Sequence, residues 1–196
     1  TMCTFLGAST SIKLEQFNKS EFISGQIVYL EGYLFDKEET KKTFRNICEV
    51  SKKNNLRVGL SLSDTFCVER NKKDFINLIK EVDIIFCNEF ELKSLFGKNF
   101  QEAFDKLRYN VKIGSITLGS KGALVFNENC VIKIDPIQTP KVLDTTGAGD
   151  LFAAGFLFGL LNQFSLKNCG ILGSKSASHI ISIYGARPKI KLKTLL

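Results

Sequence analysis

The chain of 196 residues has no tryptophan, a single histidine and a single methionine. Without Trp, aromatic packing falls on the 17 phenylalanines. One histidine, His179, gives no Ser-His-Asp relay, and its setting in "SASHIISIYG" reads as a packed core residue. Six cysteines stand at positions 3, 48, 67, 87, 130 and 169, with no CxxC pair among them. Zinc knuckles and local redox pairs are therefore excluded. Cys87 lies in an apolar run and reads as a small buried hydrophobe. No signal sequence is visible, so a reducing cytoplasm is the expected setting. The longest apolar-rich run, Leu151 to Leu161, is too short to span a bilayer.

The common nucleotide-binding signatures are also missing. In "GSITLGSKG" Ser120 separates Gly119 from Lys121, which breaks the spacing a Walker A loop needs to wrap phosphates. There is no HRD or DFG set. "GAGDLF" does not complete GxGxxG, because Phe152 stands where the third glycine belongs.

What is present is an ordinary globular composition, 44% hydrophobic and 24% charged, read here as one domain over residues 1–196. Lys and Arg number 27 against 20 Asp and Glu, a net charge of +7. The lysines are scattered and alternate with acids, as on solvated helix faces. No nucleic-acid motif accompanies them, and an anionic substrate accounts for the excess equally well.

Apolar runs with strand character alternate with helical periodicity. Strands are expected at 26–34, 56–64, 83–88, 112–119 and, as a hairpin turning at Asn127-Glu128-Asn129, at 122–135. Helices are expected at 38–55, 71–82, 89–96, 100–108, 149–164 and 166–185. Phe44, Ile47 and Val50 are assigned the buried face of the first, with Cys48 beside them. The alternation predicts an α/β protein, a three-layer α/β/α sandwich with a mainly parallel sheet. Gly155 and Gly159 are expected to let helices approach closely.

In such folds ligands gather at the carboxyl ends of strands, where four short stretches fall. The most informative is "VLDTTGAGDLFAAGF". Gly147 and Gly149 let the chain turn tightly ahead of an apolar helix, whose N-terminal amides and dipole favour negative charge. Asp150, in the first turn, is placed to accept a proton. A plain helix cap would explain Asp150 but neither glycine. "CNEFE" sets Asn88 and Glu91 three apart, a pair that suits Mg²⁺ through waters or simply starts a helix. "TLGSKG" ends a strand in two glycines and two donors, a ligand loop or a plain turn.

Together these stretches resemble the ribokinase/PfkB family of carbohydrate and nucleoside kinases. "DTTGAGDLFAAGFL" resembles its C-terminal signature, "CNEFE" its NxxE motif and "TLGSKGA" its nucleotide-binding strand end. "TMCTFLGAS", "VYLEGYLFD", "LSLSDTFCVER" and "GARP" are similar to its adenosine kinase-like branch. The resemblance implies a ribokinase-like fold and transfer of the γ-phosphate of ATP to an alcohol, by preference adenosine. The alternatives are a sugar kinase of ribose or fructose type, and a truncated non-catalytic nucleotide-binding protein. It implies Asp150 as base and Gly147, Ala148 and Gly149 as anion hole. Thr117, Gly119, Ser120 and Gly122 would line the nucleotide. Asn88 and Glu91 would organise Mg²⁺ and phosphates, Glu91 through water. Asp144 and Thr146 would hold a monovalent cation, K⁺. Adenine would lie against the helix of Ser178 and His179. Neither nucleic acid nor membrane is an expected partner.

Members of that family extend further at the N-terminus. By this likeness the first strands, a sugar-binding segment and a β-sheet lid are missing, and the chain is the C-terminal portion of a kinase domain. Thr1 standing before Met2 agrees with that expectation.

Overall fold

The structure is a computed structural model and describes residues 5–18, 22–23, 26–139 and 141–195. Thr1, Met2 and Cys3, with the first part of the "TMCTFLGAS" stretch, lie outside the described residues. The fold is α/β, with a mixed, mainly parallel sheet of six strands in the order β1-β2-β3-β4-β5-β6. The chain divides into two compact units, residues 1–85 with 90–112, and 86–89 with 113–196.

In the first unit β1 (Ile27–Glu31) runs parallel to β2 (Arg57–Ser61), with Leu30 opposite Leu60. Between them α1 (Glu38–Lys53) makes the crossover. Its buried face is Phe44, Ile47, Cys48 and Ser51, while Val50 is only half-buried. At about 100° per residue, Ser51 returns to within about 20° of Phe44 whereas Val50 lies about 120° away, at the edge of the stripe. Phe35 anchors the core, its ring centroid 5.5 Å from Phe44 and 5.0 Å from Phe75. Lys41 is buried over the Phe35 ring, its ammonium bonded to Glu38 at 2.9 Å and Asp74 at 2.8 Å.

A short helix not expected from the sequence, α2 (Thr65–Arg70), follows β2 and is capped by Asp64, which accepts from Cys67 N at 2.6 Å. Next come α3 (Lys72–Ile79), β3 (Ile84–Asn88), α4 (Glu89–Phe96) and α5 (Phe100–Asn110). Ile84 to Cys87 are all buried, as the doubly apolar run predicts.

The second unit holds β4 (Ile113–Thr117), β5 (Ala123–Asn127) and β6 (Val131–Ile134), antiparallel throughout. The β5–β6 turn is pinned as expected by Asn127, whose Oδ1 accepts from the amides of Asn129 at 3.0 Å and Cys130 at 2.9 Å. Two helices follow, α6 (Ala148–Leu161) and α7 (Leu166–Ile181). They pack backbone to backbone. A Cβ on Gly155 would come within 2.7 Å of the Leu172 carbonyl oxygen, and one on Gly159 within 3.1 Å of Cys169 Cα. Phe156 is fully buried and meets Phe86 edge-on at 5.5 Å. No helix among the described residues is long and apolar enough to cross a membrane.

Candidate active site

The second unit contains a cavity of about 640 Å³, within the usual size of a small-ligand site. One wall is the end of β4 and the turn after it, with Thr117, Gly119, Ser120 and Gly122. A second is the start of α6, with Thr145, Ala148, Gly149 and Phe152. Pro136, Ile137, Gln138, Thr139 and Val142, with one face of α7, complete it. All four residues expected to line a nucleotide are there. No charged side chain lines it among the described residues.

The β4 turn is held by its own backbone. Leu118 N donates to Gly122 O at 2.8 Å and Gly122 N to Gly119 O at 3.1 Å. Gly122 has φ +90°, and a Cβ there would fall on the carbonyl oxygen of Ile134. Its glycine is thus demanded by strand packing as well as by the cavity.

The α6 end is built differently. Gly147 is its N-cap, left-handed at φ +78° and tight against Ala186, and it offers no side-chain cap. Asp150 is therefore the third residue of the helix and not its N-cap. Ala148 N donates to Thr145 O at 3.2 Å, and the intrahelical ladder begins with Leu151 N on Gly147 O at 2.9 Å. That leaves the amides of Gly149 and Asp150 without an acceptor among the described residues. Of the three amides expected to form an anion hole, Ala148's is thus already engaged, while those of Gly147 and Gly149 have no acceptor among the described residues. A Cβ on Gly149 would meet nothing within 4 Å. Asp150 is exposed, with no hydrogen bond or ion pair among the described residues. Unsatisfied amides, the positive end of a helix dipole and an unpartnered carboxylate thus share one turn.

Asp144 does another job. Its Oδ1 accepts from Thr146 N and its Oδ2 from Gly185 N, both at 2.9 Å. The Thr146 side chain, then the amides of Gly185 and Thr146, hold its carboxyl down at about 2. This clamp ties the approach to α6 to the turn carrying Ala186, the neighbour of Gly147. Each carboxylate oxygen accepts one of these bonds and keeps a further lone pair, so the clamp neither fills nor excludes a cation site at Asp144 and Thr146. Among the described residues no group of three or more His, Cys, Asp or Glu could hold a metal.

Asn88 ends β3 and is grouped with the second unit, while Glu91 is buried in the first turn of α4 and grouped with the first. Neither lines the cavity. His179 does not line it either, and its Nε2 is buried without a hydrogen-bond partner among the described residues. Ser178 does, with its Oγ 2.7 Å from Thr139 Oγ1. Residues 136–139 and Val142 were not expected from the sequence, since they carry no periodic signal. Ser174, Ala177 and Ile181 were missed as a lining face as well, although their three- and four-residue spacing could have shown it.

Residues 1–192 match the pfkB family of carbohydrate kinases. The chain belongs to that family. Among its relatives, an uncharacterized sugar kinase of Archaeoglobus fulgidus is 36% identical over 120 residues, 61% of this chain and 48% of that protein. The adenosine kinase of Sinorhizobium meliloti superposes with a TM-score of 0.91 at 32% identity, over 95% of this chain and 58% of that one. The ribokinase of Arabidopsis thaliana, solved with ribose and ATP, gives 0.69 at 25% identity, over 86% of this chain and 54% of that one. This chain spans about half, or less, of the length of curated relatives it matches.

Proposed function

We propose that the protein is the nucleotide-binding and catalytic part of an ATP-dependent kinase that phosphorylates an alcohol of a nucleoside, adenosine by preference. One observation carries the reading: the two unpaired amides opening α6 adjoin an uncharged cavity and an unpartnered Asp150. Phosphoryl transfer asks the protein for positioning and for stabilisation of charge more than for covalent chemistry. In this proposal the amides of Gly149 and Asp150 meet the transferring phosphoryl group, helped by the dipole of α6. Asp150 takes the proton from the acceptor hydroxyl as it attacks in line. Gly147, left-handed, sets the direction of both. Thr117, Gly119 and Ser120 hold the nucleotide from the β4 side, and apolar side chains enclose the base.

Mg²⁺ would shield the phosphate charge. Asn88 and Glu91 keep that role on the strength of the NxxE motif, since one carboxylate plus phosphates and waters is the usual Mg²⁺ arrangement. Adenosine is favoured by the likeness to an adenosine kinase over nearly the whole chain. A sugar acceptor is the second reading, favoured by the match to a sugar kinase.

The test is phosphate transfer from ATP to adenosine, inosine, ribose and fructose, with Asp150→Asn in parallel. Transfer that prefers adenosine and disappears in the variant supports the proposal. Preference for a free sugar moves the acceptor to the second reading. Nucleotide binding with no transfer to any acceptor leaves a non-catalytic nucleotide-binding protein.

A further inference from the structure

We propose that a second cavity, on α7, binds a small monocarboxylate with an apolar body. The inference stands apart from the proposed phosphoryl transfer. The cavity lies within the second unit, measures about 320 Å³ and shares no lining residue with the one described above.

One wall is a row on α7, where Asn168, Ile171, Leu172 and Lys175 follow three- and four-residue steps. At 1.5 Å per residue, about 10 Å of helix lies between the first and the last. Phe164 and Leu195 complete the lining, and local hydrogen bonds hold both. Left-handed Gln163 ends α6, with Gln163 N donating to Leu160 O at 3.2 Å and Phe164 N to Gly159 O at 2.9 Å. Ser165 then caps α7 at once. Leu195 closes a 3₁₀ turn, Leu192–Leu195, and its carbonyl accepts from Lys175 Nζ at 2.8 Å. The cavity is therefore preformed, so a ligand orders little of the chain on entering.

Its chemistry is an apolar surface with one cation. Lys175 is half-buried, and that carbonyl is its sole hydrogen-bond partner among the described residues, with no carboxylate paired to it. Lys41, also drawn out of solvent, is answered by Glu38 and Asp74. An ammonium carries three donors, so Lys175 keeps two, and partial burial strengthens its pull on an anion. Asn168 brings a side-chain amide that is also unpaired among the described residues. A phosphate asks for more donors than these and is costly to set against apolar walls, whereas a single carboxylate matches one ammonium. Phe164, Ile171, Leu172 and Leu195 then cover an aliphatic or aromatic body.

The probe is octanoate, compared with 1-octanol and octylammonium in titration calorimetry of the chain at neutral pH. The expected result is saturable one-to-one binding of octanoate, at least about tenfold tighter than 1-octanol, the scale of a hydrogen bond to a charged group. Octylammonium should bind no better than the alcohol. Lys175→Met keeps the stem and removes the charge, and should bring octanoate down to the level of the alcohol. Ile171→Glu places a carboxylate four residues before Lys175, supplies the missing counter-charge from within and should do the same. No saturable binding of octanoate, or equal affinity for acid and alcohol, overturns the inference on the parent chain alone. A preference for the acid that survives in either folded variant overturns it as well, since the carboxylate would then lie elsewhere.

Discussion

Helices α6 and α7 lie backbone to backbone yet begin in opposite ways. α7 opens on Ser165, whose Oγ accepts from Asn168 N at 3.3 Å. Asn99 does the same for α5, and Asp64 for α2. α6 opens on Gly147 and has no side-chain cap. A cap is worth about 1 kcal/mol, and the chain supplies one at three helices whose starts only need stability. α1 and α3 also begin without a side-chain cap, but only α6 of these uncapped helices opens on a left-handed glycine beside the cavity. The difference teaches that a glycine start leaves the amides of Gly149 and Asp150 open toward the cavity, where the proposed function would use them.

The sharpest way to break this comparison is Asp150→Asn. As the proposed base, Asp150 should account for roughly a hundredfold or more in kcat. The affinity for labelled ATP should barely move, because the amides and the cavity remain. Turnover close to that of the parent protein would return Asp150 to a plain first-turn acid. Next in size are paired glycine substitutions. Gly155→Ala puts a methyl group 2.7 Å from the Leu172 carbonyl and should destabilise by about 2 kcal/mol in urea unfolding, with α6 and α7 forced apart. Gly149→Ala meets no neighbour, so stability should hold or rise by up to about 1 kcal/mol while nucleotide binding weakens. Equal losses of stability from the two would erase the distinction between packing glycines and site glycines.

A smaller effect is expected at the other helix start. Ser165→Ala should cost about 1 kcal/mol of stability and leave nucleotide affinity unchanged, measured by the same unfolding and titration. The least is expected from the Asp144 clamp. Its carboxyl is held at about 2 against an ordinary 3.8, so the folded state binds this proton less readily than the unfolded one. The clamp therefore contributes fully above about pH 3.8 and is lost as pH falls toward 2. Melting temperature followed over that window should fall less steeply in Asp144→Asn than in the parent protein.

Much of the fold was legible because its signals are local. The doubly apolar Ile84–Cys87 run, the Asn127 turn and the glycines of α6 behaved as their neighbours along the chain predicted. α2 went unseen because six residues give no period, although Asp64 ahead of an apolar pair was a usable start signal. Val50 was misplaced by a stripe drawn too wide.

The candidate site divides the same way. By itself the sequence determined the glycine-rich entry to α6, the acid in its first turn and the strand end at Thr117, since backbone freedom and helix polarity are properties of short segments. The tertiary structure alone decided which amides stay unpaired, that Asp144 serves as a clamp, and that Thr139 meets Ser178 at 2.7 Å, both lining the cavity. Those outcomes depend on segments distant in sequence meeting in space, where a hydrogen bond such as Gly185 N to Asp144 either finds its partner or does not.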